Sequence, residues 1–232
     1  MASTISFIQA NLQRSIAASR ILTRTLGFKG IDKALIREPW CREGCIRGLN
    51  IPGYTLFSVN GLDRFRACIL TRNETAWMLL GFSCRDLVVV LIKYNEEGME
   101  RRLVVCSAYL LYDSENPPPS KKFEDLLRYC EKENLYLVVG CNSNARHSIW
   151  GSTNCNSRGE ALMEFLNTTN LGIINQGNEP TFCSGVRSEV IEITLGSLML
   201  LERIIGWEVS SEHFLSDHRL ILFTVGARYR CA

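Results

Sequence analysis

Three short polar motifs lie far apart in this chain, and each follows or opens an apolar run. They are Arg37-Glu38-Pro39-Trp40, Gly140-Cys141-Asn142-Ser143-Asn144 and Ser216-Asp217-His218. Each carries acids, amides or an imidazole at the end of a predicted strand. Carboxylate and amide oxygens bind hard cations such as Mg²⁺, and a nearby histidine can steady a charged phosphoryl group. The pattern therefore predicts a fold that brings these strand ends together around a metal ion and a phosphate.

The apolar periodicity of the rest of the chain predicts alternating strands and helices, with no repeat and no linker. Residues 16–28 have helical spacing after Ser15, a favourable N-cap, and residues 121–134 form an amphipathic helix. A capping-box pattern at Ser157 opens a third helix that runs through Asn167. Many short strands between few helices indicate a single domain over residues 1–232, built from two packed sheets flanked by helices. The predicted strands are residues 5–12, 34–36, 54–59, 67–70, 78–80, 87–94, 103–110, 135–139, 171–174, 190–195, 207–210 and 219–225.

Cysteine usage and hydropathy indicate an intracellular protein. The chain has 10 cysteines, no signal-peptide pattern and no apolar stretch of membrane-spanning length. We therefore expect free, buried thiols in a reducing compartment, the nucleus or the cytoplasm, rather than a secreted protein. Cys41 and Cys45 form a C-x₃-C pair, but no second pair of matching spacing and no nearby histidine completes a zinc site.

The charge is distributed unevenly along the chain, although the net charge is only +2. Residues 1–72 hold 11 Lys and Arg against 4 Asp and Glu, whereas the remainder is acidic. A basic N-terminal third is compatible with a polyanion lying across it. A solvated surface with a chance asymmetry explains the charge equally well.

Ten short motifs also follow one another in order along the chain: Gln9-Ala10-Asn11-Leu12, Leu35-Ile36-Arg37-Glu38-Pro39-Trp40, Ile46-Arg47-Gly48-Leu49-Asn50, Ser107-Ala108-Tyr109, Gly140-Cys141-Asn142-Ser143-Asn144-Ala145-Arg146-His147, Trp150-Gly151-Ser152, Ser157-Arg158-Gly159-Glu160, Pro180-Thr181-Phe182, Ile191-Glu192-Ile193-Thr194-Leu195 and Ser216-Asp217-His218-Arg219. Together they resemble the exonuclease–endonuclease–phosphatase superfamily, and more narrowly the endonuclease domain of insect non-LTR retrotransposons. Any one motif is weak, and the specificity lies in their order. The resemblance implies a four-layer α/β sandwich of two mixed β-sheets flanked by helices, and Mg²⁺-dependent cleavage of a DNA phosphodiester, with Mn²⁺ as another possible metal.

The resemblance also implies a role for each site residue. Glu38, Asp217 and Asn11 would be the metal ligands, and Asn11 would also contact phosphate or a metal-bound water. The remaining residues divide into a group that holds the scissile phosphate and a pair that contacts the DNA backbone. The first group is Tyr109, Asn144 and His218, and the pair is Arg146 and His147.

Each of these residues also has a plain structural explanation. Glu38 could be an exposed acid at a strand end, and Tyr109 a half-buried core residue with its hydroxyl at the surface. His147 could be an ordinary loop histidine. Asp217 and His218 are neighbours, so in a regular strand their side chains would face opposite sides.

Two positions depart from the family pattern, which has Asp at both. Asn142 stands where the family's Asp activates or orients the attacking water, and an amide cannot accept a proton. Glu192 stands where the family's Asp orients the catalytic histidine; it keeps the charge with one extra methylene. We therefore expect an impaired nuclease in which Asn142→Asp restores activity and Glu192→Asp adds a smaller gain.

The resemblance implies nicking of double-stranded target DNA, which would expose a 3′-hydroxyl that primes the reverse transcriptase domain of the parent element. A non-catalytic DNA-binding remnant of a mobile element is the alternative. A phosphatase for a small phosphoester uses the same scaffold, but the local motifs match the retrotransposon branch more closely. No membrane partner is expected.

Overall fold

The computed structural model describes residues 4–59, 65–72 and 75–226. Its helices are α1 (Ile16–Lys29), α2 (Lys121–Lys132), α3 (Ser157–Asn167) and α4 (Leu198–Leu201), with a 3₁₀ turn at Ser148–Trp150. Its strands are β1 (Ile5–Asn11), β2 (Lys33–Arg37), β3 (Cys41–Arg42), β4 (Cys45–Ile46), β5 (Tyr54–Phe57), β6 (Ala67–Arg72), β7 (Ala76–Met78), β8 (Leu87–Glu96), β9 (Met99–Tyr109), β10 (Tyr136–Asn142), β11 (Leu171–Ile173), β12 (Phe182–Ser184), β13 (Arg187–Glu189), β14 (Glu192–Ser197), β15 (Ile204–Val209) and β16 (Ile221–Val225).

Two six-stranded sheets form the body of the protein. The first sheet has the order β15-β16-β1-β2-β6-β5 and the second β11-β14-β10-β9-β8-β7. The β1–β2 and β9–β10 pairs are parallel and the other pairs of these sheets antiparallel, so both sheets are mixed. Two short hairpins, β3–β4 and β12–β13, stand apart from them.

Three hydrophobic clusters separate four layers. The cluster between the sheets contains Phe7 of the first sheet and Val90 of the second. The outer face of the first sheet packs against α1 through Leu22. The outer face of the second sheet packs against α2 through Phe123 and against α3 through Leu162. The order helix, sheet, sheet, helix confirms the predicted four-layer α/β sandwich, whereas the single-domain boundary over residues 1–232 stays a prediction.

The helix ends follow local side-chain chemistry. Ser15 caps α1 as predicted, its Oγ accepting from Ala18 N at 3.2 Å. The α3 cap differs from the prediction: Asn156, not Ser157, is the N-cap, because its Oδ1 accepts from Gly159 N at 2.9 Å. Ser157 is the first helical residue instead.

Most predicted strands lie where the apolar runs placed them, and the differences are informative. The strand predicted over residues 135–139 continues to Asn142, because pairing with β9 and β14 satisfies its polar end. The sequence did not predict the β12–β13 hairpin, whose short strands alternate polar and half-buried residues. The β3–β4 hairpin was not predicted either; it lies between the strands predicted over residues 34–36 and 54–59.

Among the described residues, nine cysteines are present and all are free thiols. Cys45 and Cys155 are exposed, so the expected burial does not hold for every thiol. No helix in the described part of the chain has the length and apolar character needed to cross a bilayer.

Candidate active site

The strand register brings the polar ends of five strands to one edge of the sandwich. In the first sheet, Asn11 at the end of β1 pairs with Arg37 at the end of β2. In the second sheet, Asn142 at the end of β10 lies between Tyr109 of β9 and Glu192 of β14. Residues at opposite ends of the sequence thereby become neighbours.

The two sheets approach each other closely just behind this edge. A Cβ atom at Gly140 would come within 2.9 Å of both Gln9 and Leu35, so only glycine fits there without a shift. The Ser107 hydroxyl donates to the Ile36 carbonyl across the same gap at 2.8 Å. This close packing fixes the strand ends of one sheet against those of the other.

A cavity of about 290 Å³ opens at this edge. Six of the predicted site residues line it: Glu38, Tyr109, Asn142, Asn144, Arg146 and His218. The other wall residues are Tyr112, Asn156, Phe182, Arg187 and Ile191. Four predicted residues are not part of its wall: Asn11, His147, Glu192 and Asp217.

Glu192 lies buried beneath the cavity and contacts both Arg37 and His218. Its Oε2 forms a short ion pair with Arg37 Nη2, and both side chains are 1% exposed. Its Oε1 lies 2.9 Å from His218 Nδ1, although the ring N–H is not aligned for a hydrogen bond. Thr181 Oγ1 accepts from the Glu192 backbone N–H at 3.0 Å and steadies the start of β14. Burial by itself would raise the pKa of Glu192, but the positive charge of Arg37 and the contact with His218 outweigh it, and the pKa lies below its ordinary value.

Glu38 follows β2 in a left-handed turn, with φ of 46°. Such a conformation is unfavourable for a residue with a Cβ and is commonest at functional sites. Its backbone N–H donates to the Arg66 carbonyl at 3.0 Å, which holds the turn. Its side chain is 18% exposed, and Arg14 Nη2 lies 3.7 Å from Oε1. The carboxylate is therefore accessible from the cavity, with one guanidinium beside it.

Asn142 and Asn144 form a second constrained turn, at the end of β10. Asn144 has a φ of 47°, and its backbone N–H donates to Asn142 Oδ1 at 3.1 Å. The Asn144 side-chain amide donates to the Leu110 carbonyl at 2.8 Å. Asn142 is 2% exposed, so its amide is held at the cavity floor.

Tyr109 stands in the cavity wall beside Arg66, whose guanidinium lies 5.5 Å from the ring centroid. Burial, followed by the negative charge of Glu38, raises the pKa of the Tyr109 hydroxyl. The hydroxyl therefore stays protonated at neutral pH and can donate a hydrogen bond to an anion.

Asp217 is held by a residue that the sequence did not single out, Gln13. The Gln13 amide donates to Asp217 Oδ2 at 2.9 Å, and Gln13 Oε1 accepts from the Asp217 backbone N–H at 3.1 Å. Hydrogen bonds from Gln13 and then Ser184 lower the pKa of Asp217. Asn11 is fully buried; its Oδ1 accepts from Gln13 N at 3.0 Å and its Nδ2 donates to Glu192 Oε1 at 3.4 Å.

The two residues predicted to contact the DNA backbone lie in different surroundings. Arg146 lines the cavity, and its guanidinium lies 3.6 Å from Glu189 Oε1. His147 instead caps the 3₁₀ turn, with Nδ1 accepting from Ile149 N at 3.1 Å, and its ring packs on Trp150.

One group of three potential metal ligands exists among the described residues, and it lies outside the cavity wall. His147, Cys155 and Glu160 place their ligand atoms within 4.8 Å of one another. Because Nδ1 of His147 accepts a hydrogen bond from a backbone N–H, its neutral ring carries the proton on Nε2, the nitrogen that faces Glu160. That tautomer has no free lone pair directed at a metal ion.

The cavity itself offers oxygen donors that suit a hard divalent cation. The accessible Glu38 carboxylate and the Asn144 amide oxygen are hard donors at one surface. Mg²⁺ commonly uses one or two carboxylates and completes its shell with water and substrate phosphate. A site with a single accessible carboxylate and neighbouring amides therefore fits such an ion. Asp217 directly precedes His218, which lines the cavity.

Sequence reasoning missed Arg37, Gln13 and Arg14 as parts of the site. Arg37 carried a signal, because a charged residue ends an otherwise apolar strand next to Glu38. Gln13 and Arg14 have φ values of 48° and 54°. The residue types at these two positions do not predict a left-handed turn. Phe182 was noted only within a motif, yet its ring lies 5.0 Å from that of His218.

Comparisons with known proteins bear on the family and the fold of the chain. A family model described as "Endonuclease-reverse transcriptase" matches residues 103–222, just over half of the chain. The chain is also 27% identical over 167 residues to the RNA-directed DNA polymerase from mobile element jockey of Drosophila funebris. That match covers 68% of this chain and 17% of that protein, so the chain spans only a small part of this relative's length.

Two solved structures share the fold over nearly the whole chain. The endonuclease domain of TRAS1, a telomere-specific non-LTR retrotransposon, is 25% identical, with a TM-score of 0.80 and coverage of 96% of this chain and 98% of that one. The AP endonuclease LMAP from Leishmania major is 10% identical, with a TM-score of 0.74 and coverage of 97% and 88%. The second shows the likeness of fold alone.

Proposed function

Because the chain belongs to the endonuclease-reverse transcriptase family, as a retrotransposon endonuclease domain of the exonuclease–endonuclease–phosphatase superfamily, we propose that it nicks double-stranded DNA with the help of a divalent metal ion, Mg²⁺ or Mn²⁺. The nick would leave a 3′-hydroxyl to prime reverse transcription by a polymerase domain of the same element. The likeness to the TRAS1 endonuclease domain supports this substrate, since that domain belongs to a telomere-specific retrotransposon.

One observation carries the proposal. A carboxylate, two amides, a phenol and an imidazole from strand ends that are distant in sequence line a single cavity. This set combines hard metal ligands with donors for a phosphate.

The cavity residues would divide the work as follows. Glu38, with Asp217 in a supporting position, would hold the metal ion, which when bound withdraws charge from the phosphate oxygens. The fully buried Asn11 would act through its hydrogen bonds to Gln13 and Glu192. His218 and Asn144 would hold the phosphate, and the protonated Tyr109 hydroxyl would donate a hydrogen bond to it. Asn142 would orient the attacking water but cannot accept its proton, so the reaction would be slow.

Metal removal provides the first test. We expect slow nicking of supercoiled plasmid with Mg²⁺, no nicking with excess EDTA, and recovery when Mg²⁺ is restored in excess. Glu38→Gln keeps the size of the side chain but loses its charge, so nicking should fall by about 10²-fold or more, to the background of the assay. Nicking that persists in EDTA would show that the strand breaks come from another source.

DNA affinity should depend strongly on salt, because each phosphate neutralised by Lys or Arg releases counterions. Arg146 lines the cavity, and Lys121, Lys122 and Arg158 line an adjoining cavity of about 550 Å³ that shares Tyr109. Arg146→Gln should reduce the slope of log affinity against log salt by about 1. Arg128→Gln is the matched control, since Arg128 lies on α2 paired with Glu124 and Asp125. Affinity that stays flat between low and high salt would contradict this account.

The rival function is a DNA-binding remnant without catalysis, and Asn142 is the observation that favours it. The nicking assay separates the two. A chain that binds duplex DNA with the expected salt dependence, yet never nicks with Mg²⁺ or Mn²⁺, would be that remnant.

A further inference from the structure

The ion pair between Arg37 and Glu192 is unusual for its burial. Arg37 is among the largest fully buried side chains among the described residues, and Glu192 is 0% exposed. Removing two charges from water is costly, and apolar residues of similar size often serve a protein interior at least as well. The position of the pair directly beneath His218 therefore calls for an explanation beyond packing.

The two oxygens of the Glu192 carboxylate contact different partners. The guanidinium is anchored by Nη1, which donates to the Leu35 carbonyl at 2.8 Å. Its Nη2 forms the ion pair with Glu192 Oε2. The second oxygen, Oε1, is then the one that lies 2.9 Å from His218 Nδ1. A side chain of three rotatable bonds is thus held at one oxygen so that the other meets the ring.

We propose that Arg37 is a positioning residue for His218: it holds one oxygen of Glu192 so that the other faces Nδ1 and keeps a proton there. The nitrogen available to the cavity is then Nε2, in the neutral ring and in the imidazolium alike. The nitrogen that carries the proton is set by the partner of the other nitrogen. The inference rests on the proposed function only for what Nε2 does to a phosphate.

A second buried pair in the same protein separates this role from simple stabilisation. Arg203 Nη2 forms a short ion pair with Glu96, and both side chains are 5% exposed. Arg203 precedes β15, and its Nε donates to the Gly226 carbonyl at the other end of the first sheet from Asn11. This pair bridges the two sheets as the pair of Arg37 and Glu192 does. Neither Arg203 nor Glu96 forms an ion pair or a hydrogen bond with a histidine among the described residues.

The test is the tautomer of His218, read by ¹⁵N NMR of the imidazole rings in metal-free protein. The chain has three histidines, so His218→Gln assigns the signal. Above the ordinary titration range of imidazole, we expect the Nδ1–H tautomer in the unmodified chain. Arg37→Gln should lower the ratio of Nδ1–H to Nε2–H by about tenfold, because the ring then loses the close, fixed carboxylate oxygen that favours a proton on Nδ1. Arg203→Gln should leave the ratio unchanged while also removing a buried ion pair.

A folded Arg37→Gln chain with an unchanged ratio would overturn the proposal, and so would an equal shift in Arg203→Gln. Should Arg37→Gln fail to fold, Arg37→Lys takes its place: the ammonium keeps the charge but lacks the planar fork. A smaller shift of the same sign then supports the proposal, and an unchanged ratio rejects it. If no variant nicks DNA, the proposed function fails, yet the tautomer measurement still decides the role of Arg37.

Discussion

Asn142→Asp raises the rate of Mg²⁺-dependent plasmid nicking by about 10²–10⁴, the usual contribution of a general base. Asn142 Oδ1 already accepts the Asn144 backbone N–H at 3.1 Å. One carboxylate oxygen of an Asp can keep that bond, and the other can take the proton of the attacking water. DNA affinity should change little or fall slightly, because the change adds a negative charge near the phosphate.

Asn156→Asp is the matched control. Asn156 lines the same cavity, and Asp is as good an N-cap for α3 as Asn. The control therefore adds the same charge to the same cavity without placing it at the end of β10, and no gain is expected. If the unmodified chain nicks as fast as Asn142→Asp, position 142 is not the base, and the role passes to Asp217.

Glu192→Gln lowers the free energy of unfolding at neutral pH by about 3–5 kcal/mol, because it leaves Arg37 buried without a counter-charge. Denaturant unfolding measures the loss. Glu96→Gln is the control, since it leaves Arg203 unpaired at the opposite end of the sandwich and should destabilise the fold without altering His218. A loss below about 1 kcal/mol for Glu192→Gln would mean that the pair contributes little to stability.

The ion pair between Arg37 and Glu192 also makes the free energy of unfolding depend on pH. The folded pKa of Glu192 lies below its ordinary value of 4.5, so its stabilising contribution is fully present above that value. It is lost as the pH falls through the folded pKa, where the carboxylate becomes protonated in the native state. The Gln variant lacks this part of the acid-induced loss, so the stability difference between the two chains should shrink on acidification.

The contact with Arg37 also reverses the sign expected for Glu192→Asp. The sequence suggested a gain, because the change restores the family's residue. In the structure, a carboxylate one methylene shorter would withdraw from Arg37 or from His218, since Glu192 now contacts both. We therefore expect lower stability and no added nicking from this change alone, even in the Asn142→Asp chain.

The layers and the strand ends of the site could be predicted from the sequence, because alternation and apolar runs report burial directly. The convergence of Glu38, Asn142 and His218 followed from their positions at the ends of such runs. The partner of Arg37 could not be predicted, because it depends on how one sheet is set against the other. The turn at Gln13 was hidden for a different reason: a left-handed φ in residues other than glycine leaves no compositional trace.

The two buried Arg–Glu pairs have a consequence for how the sheets are aligned. Apolar contacts between sheets are non-directional, so they specify the alignment of one sheet along the other less sharply than a paired charge does. Arg37–Glu192 and Arg203–Glu96 join the sheets at opposite ends, and each is satisfied only in one alignment. A shift of one sheet along the other by a single residue would leave four charged groups buried without partners. The two ion pairs thus fix the alignment of the sheets. The loops around the cavity can then diverge in sequence while the strand ends that carry the site residues keep their relative positions.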